Sequence, residues 1–507
     1  MRATPTPGLR MKLLVYNPLV AVWRPRLPAV LSVTQEAIDS GHEVVHIGCD
    51  GELPACTANL EHGRSICSYC VDRGRRGLDL LTGEYSDRDL TDYIDAERLE
   101  ALKGEVDHFE SLEELRALMH GAMDIGYAAL SSCAHVARNS EPNLDNPVVR
   151  RVIQRLLNTG KIVFEAISEA ISVEKPDRVI IYHGRSAIDR AALRACDDQG
   201  VECHVYETAL GVNKLIYFEN ALPQDIEYFA RMVDELWESA PEDKREVGKL
   251  FFEMRRSGTT NASEGSSKIA TQDRVYVGHQ ESGILPESWN SDHRNIVIYG
   301  SSDDEFVAIS PEYETTIYPD QLEATRQIAN SLLDDPGFRV YFRVHPRQKG
   351  VDNDYTRGLQ RLEAEFSNLV VVPADSRVSS YSLLDSADCV LAFRSTMSIE
   401  AVYWNKPSII LSSSIFKPLG ATYNPESHDA VIEMIRAELP PKDPTPVLKV
   451  GYFRMRGGFT HPYYEGDIRK GGKGYTFKGN RVRVGRFQRV RYFLARERQR
   501  KKWRSMA

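Results

Sequence analysis

Two series of short apolar runs, each alternating with amphipathic stretches of helical period, organise this chain. In the first, Leu13–Asn17 and Glu43–Gly48 read as buried strands separated by a helix near Ala29–Ser40. Helices around Asp95–His120 and Asn146–Val173 follow, then strands at Arg178–His183 and Glu202–Glu207. Helices near Gln224–Arg256 lead into SGTTNASEGSSK, a run with little to bury that reads as a linker. The second series starts at Asn295–Tyr299, places strands at Arg339–Val344 and Asp388–Phe393, and continues to about Leu439. Strand and helix in alternation predict parallel sheets with crossover helices. The expected fold is therefore α/β, with two Rossmann-like domains facing a cleft. The expected divisions are 1–220, a helical connection and linker over 221–290, 291–445, and a Gly/aromatic-rich segment with a basic tail over 446–507, not expected to form a core of its own.

A chain of 507 residues is too long for one core, and its 42% hydrophobic and 27% charged content is ordinary for a globular protein. No window holds the roughly 18 apolar residues needed to span a bilayer, and the first residues lack the apolar stretch of a secretory signal, so a cytoplasmic location is expected. The net charge of −8 hides an asymmetry: Lys478–Arg504 carries 12 Lys/Arg against the single acid Glu497, leaving about −19 for the remainder.

Several polar groups fall at carboxyl ends of predicted strands, the edge where open parallel sheets bind ligands. RVYFRVHPRQKG ends a strand at Arg343, His345 and Pro346, and DCVLAFRSTMSIE runs a strand through Ser395 and Thr396 into a helix containing Glu400. Hydroxyls and free N–H groups at that helix start suit a phosphate. IYGSSDDEF puts Ser301, Ser302 and Glu305 at another strand end, where Asp303 and Asp304 would repel phosphate unless they point away. In the first half, IIYHGRS delivers His183, Gly184 and Arg185, and the next strand delivers Glu207.

The pairing of Arg-x-His-Pro with Tyr381–Asp388 (YSLLDSAD) and Ser395–Pro407 (STMSIEAVYWNKP) resembles the donor domain of bacterial capsule and surface-polysaccharide glycosyltransferases of the GT-B type. The likeness spans roughly 175–420 and includes the HGR and RAALRA elements of the first half. Ser398 stands where that family usually has Gly. The resemblance implies a GT-B-like fold and transfer of a sugar from a nucleotide-sugar to a polysaccharide or lipid-linked glycan acceptor. Donor contacts would come from Arg343, His345, Pro346, Ser395, Thr396, Glu400, Ser301, Ser302 and Glu305. Arg185 would hold the acceptor. An inverting transfer needs a base at the acceptor hydroxyl, for which Glu207 is the first choice and His183 the second. A catalytic divalent ion is not expected, since no Asp-x-Asp stands at a donor strand end. Two rivals remain: a nucleotide-sugar 2-epimerase, and a non-catalytic, metal-containing scaffold of a polysaccharide assembly complex.

Eight cysteines include four within 22 residues, Cys49, Cys56, Cys67 and Cys70, spaced C-x6-C-x10-C-x2-C. In a cytoplasmic chain this suggests a metal site rather than disulfides, with structural zinc first (His62 as a substitute ligand) and an iron–sulfur cluster second, against a redox pair or unbound thiols as the alternatives. In the basic tail, Val484, Phe487, Val490, Phe493 and Leu494 interleave with Arg, which predicts docking on an anionic membrane surface rather than on nucleic acid.

Overall fold

The computed structural model describes residues 10–18, 25–209, 213–257, 280–314, 317–466 and 475–504. The linker run from Gly258 onward lies outside these.

Two open sheets carry the fold. The first orders seven strands as β12-β6-β5-β4-β1-β2-β3, from β1 (Lys12–Tyr16), β2 (Glu43–Gly48), β3 (Ser86–Asp89), β4 (Arg178–Tyr182), β5 (Glu202–Thr208), β6 (Lys214–Glu219) and β12 (Phe459–Thr460). Strands β1 to β5 are parallel, while β6 and β12 run antiparallel at one edge. The second sheet orders β11-β10-β7-β8-β9, all parallel, from β7 (Arg294–Tyr299), β8 (Phe338–Arg343), β9 (Leu369–Val372), β10 (Cys389–Ala392) and β11 (Ser408–Ile410). Both parallel cores thus have a 3-2-1-4-5 order, the doubly wound pattern, whose switch points lie between β1 and β4 and between β7 and β10. Central strands such as IVIY of β7 are buried on both faces because helices cover both, so they read as unbroken apolar runs. The architecture is α/β with two Rossmann-like, GT-B-like sheets.

The C-terminal segment packs back on the first half instead of forming a core of its own. Thr445–Arg456 is a helix that crosses back over the helix Lys244–Ser257, after which β12 joins the edge of the first sheet. The crossing is close because both helices present glycine: a Cβ on Gly451 would lie 2.3 Å from the Gly248 carbonyl, and one on Gly248 would lie 2.5 Å from that of Leu448. A small hairpin, β13 (Tyr464–Glu465) and β14 (Thr476–Phe477), buries Tyr464 and Phe477 against the helix Arg26–Asp39. The basic segment Arg486–Arg504 is a helix laid on the helix Arg64–Leu78, with Tyr492 stacked on Tyr69 at 4.0 Å and Trp503 fully buried. No helix among the described residues is long and apolar enough to cross a membrane.

The glycine crossing gives a direct test. Gly451→Ala places its methyl inside a backbone contact and is expected to cost about 1–3 kcal/mol in urea unfolding, whereas Gly485→Ala, with open space around it, should leave stability within about 0.5 kcal/mol.

Candidate functional site

Arginines of the first half tie the two sheets together at their carboxyl edges. Arg185, just after β4, donates from Nε to Ser131 Oγ at 2.5 Å, from Nη1 to the Glu305 carbonyl at 2.5 Å and from Nη2 to the Asp304 carbonyl at 2.6 Å. Arg190 donates to the Ile309 carbonyl at 2.8 Å and pairs with Asp124, and Arg138 donates to the Arg347 carbonyl at 3.0 Å. Burial lowers the Arg185 pKa to about 10, which leaves it charged at neutral pH. This placement departs from the acceptor role expected of Arg185. Its Nη1 and Nη2 are spent on the Ser301–Glu305 loop of the other half and its Nε on Ser131.

One residue before this strut, the chain bends through two left-handed residues, His183 (φ 58°) and Gly184 (φ 71°). A non-glycine residue in that region is strained, and such strain gathers at functional sites. The bend brings His183 Nε2 to 3.3 Å from Glu207 Oε2, at the end of β5. Desolvation dominates both groups: it lowers the His183 pKa to about 3 and raises that of Glu207 to about 7, against which the Thr208 N–H and hydroxyl hold the carboxylate down. At neutral pH the imidazole is neutral and the carboxyl is near half-protonated. That is the state a general base needs.

The predicted donor residues fall into two sets. Arg343 is buried, donating to the Pro373 and Val372 carbonyls; it caps the end of β9, and burial lowers its pKa to about 10. His345 Nδ1 accepts from the Arg347 N–H at 3.2 Å, capping the short turn opened by Pro346. Glu400 is fully buried, with Arg255 Nε at 2.9 Å, the Thr396 hydroxyl at 3.0 Å and the Tyr381 hydroxyl bonded to its other oxygen. Ser395 Oγ accepts from the Met397 N–H at 3.3 Å, a local cap. Against these internally bonded groups, the Ser301–Glu305 turn faces the cleft. Ser301 Oγ donates to Asp303, the Ser302 hydroxyl is buried without a protein partner, and Glu305 pairs with Arg347.

Between the halves lies an open polar cavity of about 660 Å³. Arg116 and Glu141 line it from the first half and Asp303, Phe306, Asp320 and Arg394 from the second. A smaller one of about 280 Å³ adjoins it at Ser301, Arg138 and Gln348. Arg394, which no sequence motif singles out, lies over the Phe306 and Tyr313 rings and 3.4 Å from Asp303. Asp303 therefore lines the cavity instead of pointing away. Glu141 has its pKa raised, by burial first and then by Asp320 and Asp303. Four carboxylates (Glu141, Asp303, Glu314, Asp320) against two arginines give a surface that suits hydroxyl groups better than bare phosphate.

The four clustered cysteines come together around one apolar cavity at the carboxyl edge of the first sheet, and none is in a disulfide. His62 does not join them: its Nε2 meets the Gly51 carbonyl at 2.7 Å. On the basic helix, Val484 is buried and drops out of the expected apolar face, while Phe487 is 88% exposed and Val490, Phe493 and Leu494 are exposed beside it.

No protein-family model matches this sequence, and no curated protein matches it. Solved structures similar to this chain include Thermosulfurimonas dismutans KpsC, a beta Kdo 2,4 transferase, at 14% identity over 54% of this chain and 79% of that one, with a TM-score of 0.33. Another is S. aureus MnaA with UDP, at 12% identity over 96% and 97% of the two chains and a TM-score of 0.26. A third is the Methanocaldococcus jannaschii UDP-GlcNAc 2-epimerase in complex with UDP-GlcNAc and UDP, at 11% identity over 87% and 98%, with a TM-score of 0.29. At these scores the fold statement rests on the strand order itself.

Glu207 supplies a stability test. Its folded pKa lies above its unfolded value of about 4.5, so the native state holds the extra proton between pH 4.5 and 7 and stability falls as pH rises through that window. Glu207→Gln should remove this fall and stabilise the protein at pH 8 by about 1–3 kcal/mol, read from chemical denaturation at pH 5 and pH 8.

Proposed function

We propose that this protein is a GT-B-like glycosyltransferase that moves a sugar from a nucleotide-activated donor to a glycan acceptor. The observation that carries the reading is the Glu207–His183 pair. Glu207, at the end of β5, is a carboxyl raised to about 7 by burial, and it stands 3.3 Å from His183, whose left-handed backbone follows β4. The chemistry follows from the pair. Glu207 takes the acceptor hydroxyl proton as that oxygen bonds to the anomeric carbon, and the bond from that carbon to the donor phosphate breaks with inversion. Neutral His183 fixes the carboxylate's orientation. The nucleoside phosphate leaves toward the second sheet, where Arg394 lines the interdomain cavity, and the carboxylates of that cavity take the sugar hydroxyls. The resemblance of the Arg-x-His-Pro and STMSIEAVYWNKP motifs supports the same assignment of halves.

The helix Arg486–Arg504 is proposed to rest on an anionic membrane through Phe487, Val490, Phe493 and Leu494, with the surrounding arginines adding attraction that salt weakens. This places transfer beside a lipid-linked acceptor.

Glu207→Gln is expected to lower transfer at least 100-fold while nucleotide affinity, measured by calorimetry, changes less than threefold. In the wild type, kcat should rise with pH and level off above about 7. Loss of nucleotide binding in the variant would contradict the base assignment, and steady sugar release without any acceptor would move the reading to an epimerase. For the membrane face, Phe487→Ser with Leu494→Ser touches only exposed side chains and should reduce sedimentation with anionic liposomes at least fivefold without lowering the melting temperature. Equal pelleting of variant and wild type would remove the face from the account.

A further inference from the structure

The four cysteines stand apart from the glycosyl-transfer chemistry. Cys49 follows β2, Cys56 lies in the next loop, and Cys67 and Cys70 are one turn apart on the helix Arg64–Leu78. The fold converges them on one small, partly open pocket whose remaining wall is mostly apolar, including Leu53, Ile66 and Ile188. Gly51, in a left-handed conformation (φ 98°), lets the loop pass close: its missing Cβ would sit 3.4 Å from that of Cys67.

Two observations select what the cavity holds. The first is spacing. With Zn–S bonds of about 2.3 Å, a tetrahedral zinc site draws its four sulfurs to about 3.8 Å from one another. Among the described residues, the only three His, Cys, Asp or Glu ligand atoms within 4.8 Å of one another belong to Glu202, His204 and Glu219, so no three of these sulfurs approach that closely. They border a shared cavity instead. A cubane of iron and sulfide bridges such a gap because each thiolate binds a different corner.

The second is hydrogen bonding. The Gly51 N–H lies 3.4 Å from Cys49 Sγ and Asn59 Nδ2 donates to Cys67 Sγ at 3.1 Å, while the Asn59 N–H is taken by the Cys56 carbonyl at 2.8 Å. Asn59 is itself fixed by Gly63, donating to its carbonyl at 3.0 Å and accepting its N–H at 2.8 Å. N–H donors aimed at sulfur stabilise thiolate and spread the negative charge of a ligated cluster. Uncharged thiols in an apolar wall do not require them.

We infer that Cys49, Cys56, Cys67 and Cys70 ligate a [4Fe–4S] cluster, each thiol giving up its proton as its sulfur bonds one iron. The cluster clamps the 49–70 loop and its helix to the carboxyl edge of the first sheet. The basic helix lies across the same unit, through Tyr492 on Tyr69 and Gln488 Nε2 donating to the Ser68 carbonyl at 3.0 Å. The cluster therefore braces the seat of that helix.

The test uses the full chain, purified without oxygen and incubated with equal amounts of ferrous and ferric iron and with sulfide, which supply the two ferrous and two ferric ions of an oxidised cluster. Iron and acid-labile sulfide should each reach about four per chain, with broad visible absorption that bleaches on reduction by dithionite. Cys67→Ser with Cys70→Ser should retain less than a tenth of the iron, whereas Cys133→Ser, in the buried core away from the cavity, should retain all of it. Should the double variant fail to fold, wild-type iron and sulfide content decides alone. One zinc per chain without sulfide, or no bound metal, overturns the inference.

Discussion

The structure turns on the Arg185 guanidinium, buried where two sheets meet and bonded to the carbonyls of Asp304 and Glu305. A buried cation is tolerated only when its donors are taken up, and this one is satisfied by Ser131 of its own half and by two carbonyls of the other. Separating the sheets would leave both the charge and the carbonyls without partners in a dry seam. The contact fixes the Ser301–Glu305 turn against the end of β4. It thereby sets the distance between the two switch points.

That constraint explains the chemistry nearby. Because Arg185 must reach across, the chain before it passes through the left-handed pair His183–Gly184, and that bend swings the imidazole onto Glu207. Burial raises the Glu207 pKa and keeps His183 neutral, with Arg185 a further cause of the low His183 pKa. Structural strut and proposed base are thus two consequences of one closure. On the far side, Arg255 locks Glu400 and Thr396 into a buried network that spans 145 residues of sequence, joining the helix Lys244–Ser257 to the second sheet.

Much of the fold is legible in the sequence because parallel strands buried on both faces leave unbroken apolar runs: Leu13–Val15, Val179–Ile181 and Ile296–Tyr299 all announce themselves. The helix Ile125–Ala137 does not, since it is buried on most sides and its IGYAALSSCAHVA has no polar face to give a period. The edge strands β6 and β12 were equally silent, the latter being two residues long and dependent on a return from the far end of the chain. The site divides the same way. Motif position found the strand ends, but no local pattern reveals that Arg185 bonds carbonyls 119 and 120 residues away, or that Glu400 is claimed by Arg255. Charges in a sequence announce themselves. Their partners do not.

The central claim is that a nucleotide-sugar occupies the carboxyl edge of the second sheet, opposite the Glu207 pair. Amide hydrogen exchange of the full chain with and without UDP-, GDP- and CMP-linked sugars measures this directly. The account predicts that at least one donor protects residues 301–305, 345–348 and 394–398 together, with smaller changes at 183–185. Protection confined to the first sheet, or none with any donor, would contradict it.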